Sequence, residues 1–263
     1  MGAFAFDIGF LRTRICRASE VPVMKTTVIN SRLRLSEYTE GIRFGTDALL
    51  LAAFVSGSAR KRCVDLGTGS GVIPLLLLSA GKCGRACGIE IQEKYARAAA
   101  DNARANGLDG VFDSICGDVR DIRSLCSAGS ADYVTANPPY LRADSGRINK
   151  SPEKSAAFHE QNGTIEDFAR AAAYLLGTGG AFYAVYRPDR LVRLLASLSS
   201  SGLEPKLMRP VVPEADRPPS LVLVKAVKGA AEGMVYGAPL VIYTDASHGT
   251  YSAEMRKIYD DFS

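Results

Sequence analysis

The chain has no tryptophan and only two histidines, His159 and His248, and its six cysteines (Cys16, Cys63, Cys83, Cys87, Cys116 and Cys126) contain no C-x-x-C pair. Zinc sites need clustered Cys and His ligands, so no metal centre is expected. Scattered thiols, several of them in apolar stretches, read as reduced and buried side chains of a cytoplasmic protein rather than as a disulfide framework. Long apolar runs are also lacking. The stretch Val72 to Leu78 is apolar but far too short to span a bilayer, so no membrane association is expected. The opening MGAFAFDIGFLRTR puts its acid and arginines in the wrong order for a secretory signal, and Phe6 breaks the myristoylation pattern. Repeats and low-complexity tracts are absent.

What is present is an ordinary globular composition, 47% hydrophobic and 23% charged, in 263 residues. That is enough for one well-buried α/β domain. The net charge of +4 permits a nucleic-acid partner without requiring one. Charge is uneven: up to residue 62 there are ten Lys and Arg against five acids. Such an excess can contact phosphates, and a solvated face is the plainer alternative. Met24 is a candidate start, which leaves residues 1–23 as an extension and residues 24–263 as a single domain with a short preamble and tail.

From Arg62 onward strands alternate with helices, the pattern of a mostly parallel sheet flanked by helices on both faces. Strands are expected at 63–66, 86–91, 112–116, 132–136 and 181–186, with helices at 73–79, 92–106, 165–176 and 191–200. A closing pair, 205–211 and 221–227, is joined by a Pro-rich loop over 210–219. In open sheets of this kind, ligands bind beyond the carboxyl ends of the strands. Four features fall at such ends: Gly67 to Gly71, Glu90, Asp118, and Asn137 to Tyr140.

Asp65-Leu66-Gly67-Thr68-Gly69-Ser70-Gly71 is a strand, a glycine loop and the start of a helix. Glycines let the backbone turn tightly and approach a ligand closely. The G-x-G-x-G spacing departs from the G-x-G-x-x-G of dinucleotide sites. Glu90, about twenty residues on, can accept hydrogen bonds from both hydroxyls of a ribose. Asp118 can meet an adenine amino group, or simply cap the turn that follows it. Asp65 can hold the loop or, through water, an ammonium group.

Asn137-Pro138-Pro139-Tyr140 is the most specific element. Two prolines remove backbone donors and stiffen the chain. The Asn137 side-chain carbonyl and the Pro138 backbone carbonyl can then accept both hydrogens of a planar amino group, and Tyr140 offers a face for a flat substrate.

The ordered series DLGTGSG, GIEI, GD and NPPY resembles the class I S-adenosylmethionine-dependent methyltransferases. The resemblance implies a Rossmann-like, seven-stranded sheet whose last strand is antiparallel, with S-adenosyl-L-methionine as cofactor. It covers residues from about 30 to 227. Outside that core, Gly41 to Ala52, Lys154 to Glu160, Tyr186-Arg187-Pro188, Pro239 to Tyr243 and Gly249 to Ser252 are similar to the bacterial enzymes that methylate adenosine 37 of a valine tRNA. This likeness implies tRNA as partner, and Thr46 and Asp47 beside the cofactor's methionine end; a monomer is expected. It also implies Arg142, Lys154, His159 and Arg187 on the RNA side. Phe158 stands where that family typically carries Arg ahead of its His-Glu pair. His159-Glu160 fits a substrate-closing role or a helix-entry surface pair equally well.

Release-factor glutamine methyltransferases share NPPY but carry a longer helical domain ahead of the glycine loop. RNA guanine amino methylation is a further enzyme reading, and a non-catalytic cofactor-binding module is the reading of another class. Intact Asn137 and Tyr140 weigh against the last.

Overall fold

A computed structural model describes residues 24–28, 33–38, 45–138, 163–245 and 247–262. Its strands are β1 (Met24–Val28), β2 (Arg34–Tyr38), β3 (Arg62–Leu66), β4 (Arg85–Glu90), β5 (Phe112–Cys116), β6 (Ala131–Ala136), β7 (Leu176–Tyr186), β8 (Leu203–Val212), β9 (Leu221–Lys228), β10 (Val235–Tyr236) and β11 (Leu240–Val241). Its helices are α1 (Thr46–Phe54), α2 (Val72–Ser79), α3 (Glu93–Ala105), α4 (Ile122–Leu125), α5 (Ile165–Leu175), α6 (Leu191–Ser200) and α7 (Ala253–Asp261).

The main sheet runs β10-β8-β9-β7-β6-β3-β4-β5, with β11 also paired to β8. Strands β7, β6, β3, β4 and β5 are mutually parallel, and β9 lies antiparallel between β7 and β8. That is the seven-stranded sheet implied by the sequence, enlarged by two short strands from the tail. Leu240 and Val241 pair with Val211 and Val212, so the chain end covers backbone that would otherwise be an open edge.

Alternation along the strands divides the core in two. Tyr183 and Val185 face the layer of α1, α2, α3 and α7, whereas Phe182, Ala184 and Tyr186 face α5 and α6. Both faces are covered, as parallel sheets require. Two lysines close helix ends on this scaffold. Lys82 Nζ donates to the carbonyls of Ala52 and Ala53 at the end of α1, and Lys228 Nζ donates to those of Ala173 and Leu176 after α5. Each satisfies carbonyls that have no partner within the helix.

The Pro-rich connection is shorter than its composition implies. Strand β8 continues through Pro210 to Val212 before the chain turns. Pro205 lies where the β8–β9 register slips before Leu207, and Pro210 falls between the stretches of β8 paired with β10 and with β11. At both places a missing N–H costs little in the ladder. Strand β7 begins at Leu176, ahead of the expected 181–186, and takes in Gly177, Gly179 and Gly180.

The hairpin β1–β2 forms a separate sheet, tied to α3 by two asparagines. Asn102 Oδ1 accepts from Ser36 N (2.8 Å) and its Nδ2 donates to Ser36 O (3.1 Å). Asn106 does the same for Arg34, at 2.9 and 2.7 Å. Four residues of helix rise about 6 Å and two residues of strand about 6.7 Å, so amides at i and i+4 match alternate strand residues. Asn102 Nδ2 also donates to Ser70 O (2.9 Å), linking the hairpin to the glycine loop. Asn102→Ala, which strands three partly or fully buried backbone groups, is expected to lower stability by about 2–4 kcal/mol in urea titration. The more exposed Asn106→Ala should cost roughly 1 kcal/mol.

Candidate active site

The glycine loop is built against the end of β4. Gly67 N and Thr68 N both donate to Ile89 O, at 2.8 and 3.1 Å. Gly69 N donates to Glu90 Oε2 (3.0 Å), and Gln92 N to Glu90 Oε1 (2.9 Å). Gly67, Gly69 and Gly71 have φ of 71°, 56° and 85°, a region costly for other residues. A side chain at Gly71 would press on Ala99 Cβ at 3.1 Å, whereas one at Gly69 would meet nothing within 4 Å. Gly71 therefore admits α3, and Gly69 is the open backbone to which a ligand can come close. Gly88, inside β4 and the first residue of GIEI, gains a role of its own: a Cβ there would lie 2.6 Å from Thr68. A glycine inside a strand is the signal that marks such a close approach.

Two carboxylates lie beneath and beside this loop. Asp65 is fully buried, and its Oδ1 accepts from Thr135 Oγ1 at 2.6 Å. Burial pushes its pKa up to about 7, against the opposing help of Thr135 and, more weakly, Thr68; the nearby Glu90 adds to the rise. Help from Thr68 is weak because neither Asp65 Oδ2 nor Thr68 Oγ1 finds a partner of good geometry. Glu90, 6% exposed, is also raised by burial, which outweighs its backbone hydrogen bonds. Each Glu90 oxygen accepts one such bond, which leaves lone pairs for hydroxyl donors.

The other expected residues divide sharply. Asp118, two residues past β5, is a turn cap: its Oδ1 accepts from Arg120 N (2.8 Å), and the Arg120 guanidinium grips both of its oxygens. Those contacts hold its carboxyl below the usual range. Arg187, just past β7, is paired with Asp189 at 2.8 and 3.0 Å. Thr46, the first residue of α1, lies beside Tyr259 of α7. Asp47 is buried, and its Oδ1 accepts from Ala48 N (3.1 Å) in a helix whose N-cap, Gly45, offers no side chain. Its Oδ2 accepts from Asn137 Nδ2 at 3.2 Å. Pro138 is buried beside Asn137 at the exit of β6. Tyr140, Arg142, Lys154 and His159 lie outside the described residues.

Among the described residues no group of three or more His, Cys, Asp or Glu is placed to hold a metal, and no helix is long and apolar enough to cross a membrane.

An open glycine backbone, a ribose-type carboxylate at the next strand end and leftover buried oxygens at Asp65 and Thr68 fit a nucleoside that carries an amino-acid tail. Together with a sheet of order β5-β4-β3-β6-β7-β9-β8 in which only β9 is antiparallel, this defines a class I S-adenosylmethionine-dependent methyltransferase. The model of the methyltransferase small domain family matches residues 39–195, and the chain belongs to that family, with S-adenosyl-L-methionine as its cofactor. A tRNA1(Val) (adenine(37)-N6)-methyltransferase from Bacteroides fragilis is 29% identical over 184 residues, 70% of this chain and 76% of the relative. A release factor glutamine methyltransferase from Agrobacterium fabrum is 39% identical over 120 residues, 43% of this chain and 39% of the relative. A structure described as a predicted O-methyltransferase from Agrobacterium tumefaciens superposes with a TM-score of 0.66 at 21% identity, covering 82% of this chain and 97% of that one, a likeness of fold.

The Asp65 environment gives a signed pH dependence. Its folded-state pKa of about 7 lies above the ordinary value of 3.8, so the unfolded chain releases this proton first. Folding stability is then lost as pH rises from about 4 to about 7, by up to about 4 kcal/mol, and is level above. Asp65→Asn carries no such charge. Its stability relative to the wild type, followed by urea titration across pH 4–8, should improve over that window and plateau beyond it.

Proposed function

We propose that this protein methylates the exocyclic amino group of adenosine 37 in tRNA(Val). The observation that carries the chemistry is the hydrogen bond from Asn137 Nδ2 to Asp47, which leaves Oδ1 as the acceptor available to a substrate. A planar amino group is a poor nucleophile because its lone pair is delocalised. Accepting one of its hydrogens at Asn137 Oδ1 and the other at the Pro138 carbonyl favours a lone pair aimed out of the plane. The bound cofactor supplies a methyl group on a sulfonium, already a strong electrophile. What remains for the protein is positioning and removal of a proton.

In this reading Tyr140 stacks on the base, and Gly67, Gly69, Gly71, Glu90, Asp65, Asp118 and Thr46 frame the cofactor. Arg142, Lys154, His159 and Arg187 serve the RNA. Adenine and glutamine, named in two of the relatives, both carry an NH2 conjugated to a planar group. The choice of adenine follows the relative aligned over the larger share of both chains. An unpaired anticodon-loop purine is also cheap to unstack.

Incubation with labelled S-adenosylmethionine and unmodified tRNA(Val), rRNA or release factor should yield N6-methyladenosine from the tRNA alone. Label recovered as methylglutamine or methylguanosine, or no transfer to RNA, contradicts the assignment. Asn137→Ala should reduce turnover by about 100-fold or more, the scale of losing a key polar contact in a transition state. Cofactor affinity, measured by calorimetry, should stay nearly unchanged.

A further inference from the structure

We infer that Asp47 is a positioning residue that fixes which end of the Asn137 amide faces the substrate, and is not a cofactor ligand. The inference rests on the reading of Asn137 as the acceptor for a planar amino group. An asparagine amide has two ends of nearly equal shape and opposite chemistry. Turned one way, it presents an acceptor to an incoming NH2; turned the other, it presents donors that repel the amine's hydrogens. Something must bias the choice, because solvent alone does not.

Asp47 provides that bias. Its Oδ2 lies 3.2 Å from Asn137 Nδ2, and an ionised carboxylate accepts hydrogen bonds but donates none. Only Nδ2 can therefore satisfy it, and Oδ1 is directed away from it. The carboxylate is itself fixed. It is 8% exposed, sits in the first turn of α1, and holds Ala48 N through Oδ1. An acidic side chain is favoured there by the unpaired N–H groups of the helix start. Helix α1 is anchored in turn, with Leu49 to Ala52 buried in the core and Lys82 capping its last carbonyls. The acid and the asparagine are ninety residues apart in sequence. The bond therefore makes the segment ahead of the first sheet strand a working part of the acceptor site.

The isosteric change Asp47→Asn removes the bias, since an amide at position 47 can face either end of Asn137. Turnover is expected to fall about 10- to 100-fold, the scale of a misplaced reacting group. KM for RNA and the calorimetric Kd for S-adenosylhomocysteine should hold. The Asn137 side-chain NH2 signals, assigned in nitrogen–proton spectra by their loss in Asn137→Ala, should shift in Asp47→Asn without RNA or cofactor present. In the Asn137→Ala background, adding Asp47→Asn should change the residual rate little. Asp47→Glu, which keeps the acceptor-only chemistry, should recover part of the turnover and guards against a failure of Asp47→Asn to fold. Weakened cofactor binding with unshifted Asn137 signals overturns the proposal in favour of a cofactor role. So do full turnover in Asp47→Asn and independent, multiplying losses in the double variant. Full turnover in Asn137→Ala instead overturns the reading of Asn137 together with that of Asp47.

Discussion

The parallel register of β3 and β6 fixes where donor and acceptor meet. Asp65 is opposite Thr135 and Leu66 opposite Ala136, so Gly67 and Asn137 leave the sheet side by side. Neighbouring strands are about 4.8 Å apart, which sets the cofactor loop and the acceptor asparagine one strand spacing from each other. The buried hydrogen bond from Thr135 to Asp65 lies across this register, one position below the exit. A slip of one residue would leave the two side chains on opposite faces of the sheet and break it. The cost of keeping Asp65 in an apolar environment is thus balanced by what it locks in place.

The parts of the chain before β3 and after β9 bear on the same point from outside the sheet. Helix α1 brings Asp47 to Asn137, and α7 brings Tyr259 to Thr46 at the start of α1. Hairpin β1–β2 reaches the glycine loop through Asn102, which bonds Ser36 on one side and Ser70 on the other. Tyr243, Tyr251 and Tyr259 pack ring against ring along the tail, at centroid separations of 5.3 and 5.0 Å. Preamble and tail therefore brace the mouth of the site, which a minimal alternating sheet would leave open.

Much of this was legible in the sequence, for a physical reason. Strand ends in a parallel sheet are marked by residues with local conformational demands, such as the glycines at positions 67, 69 and 71, and these demands read directly from the chain. The alternation of strands and helices, with Gly107 stopping α3, is equally local. What sequence did not reveal depends on partners far apart in the chain. Asp47 reads locally as a residue beside the cofactor, and its bond to Asn137, ninety residues on, is a contact that no local pattern announces. Gly88 opens the GIEI motif, but the reason for a glycine there rests on Thr68, which lies where its side chain would be. Asp118 carried two readings, and its grip by Arg120 gives it the turn-capping geometry of the plainer one. The two short tail strands escaped notice because two-residue pairings carry no periodic signal.

The central claim is that Asn137, held by Asp47, accepts a hydrogen from the amino group to be methylated. A crystal structure of the protein with S-adenosylhomocysteine and an unmodified tRNA(Val) anticodon stem-loop tests it most directly. The account predicts the adenine amino nitrogen about 3 Å from Asn137 Oδ1, with Nδ2 still on the Asp47 carboxylate. An amino group held by other residues, or met by Asn137 Nδ2 with Asp47 turned away, would contradict it.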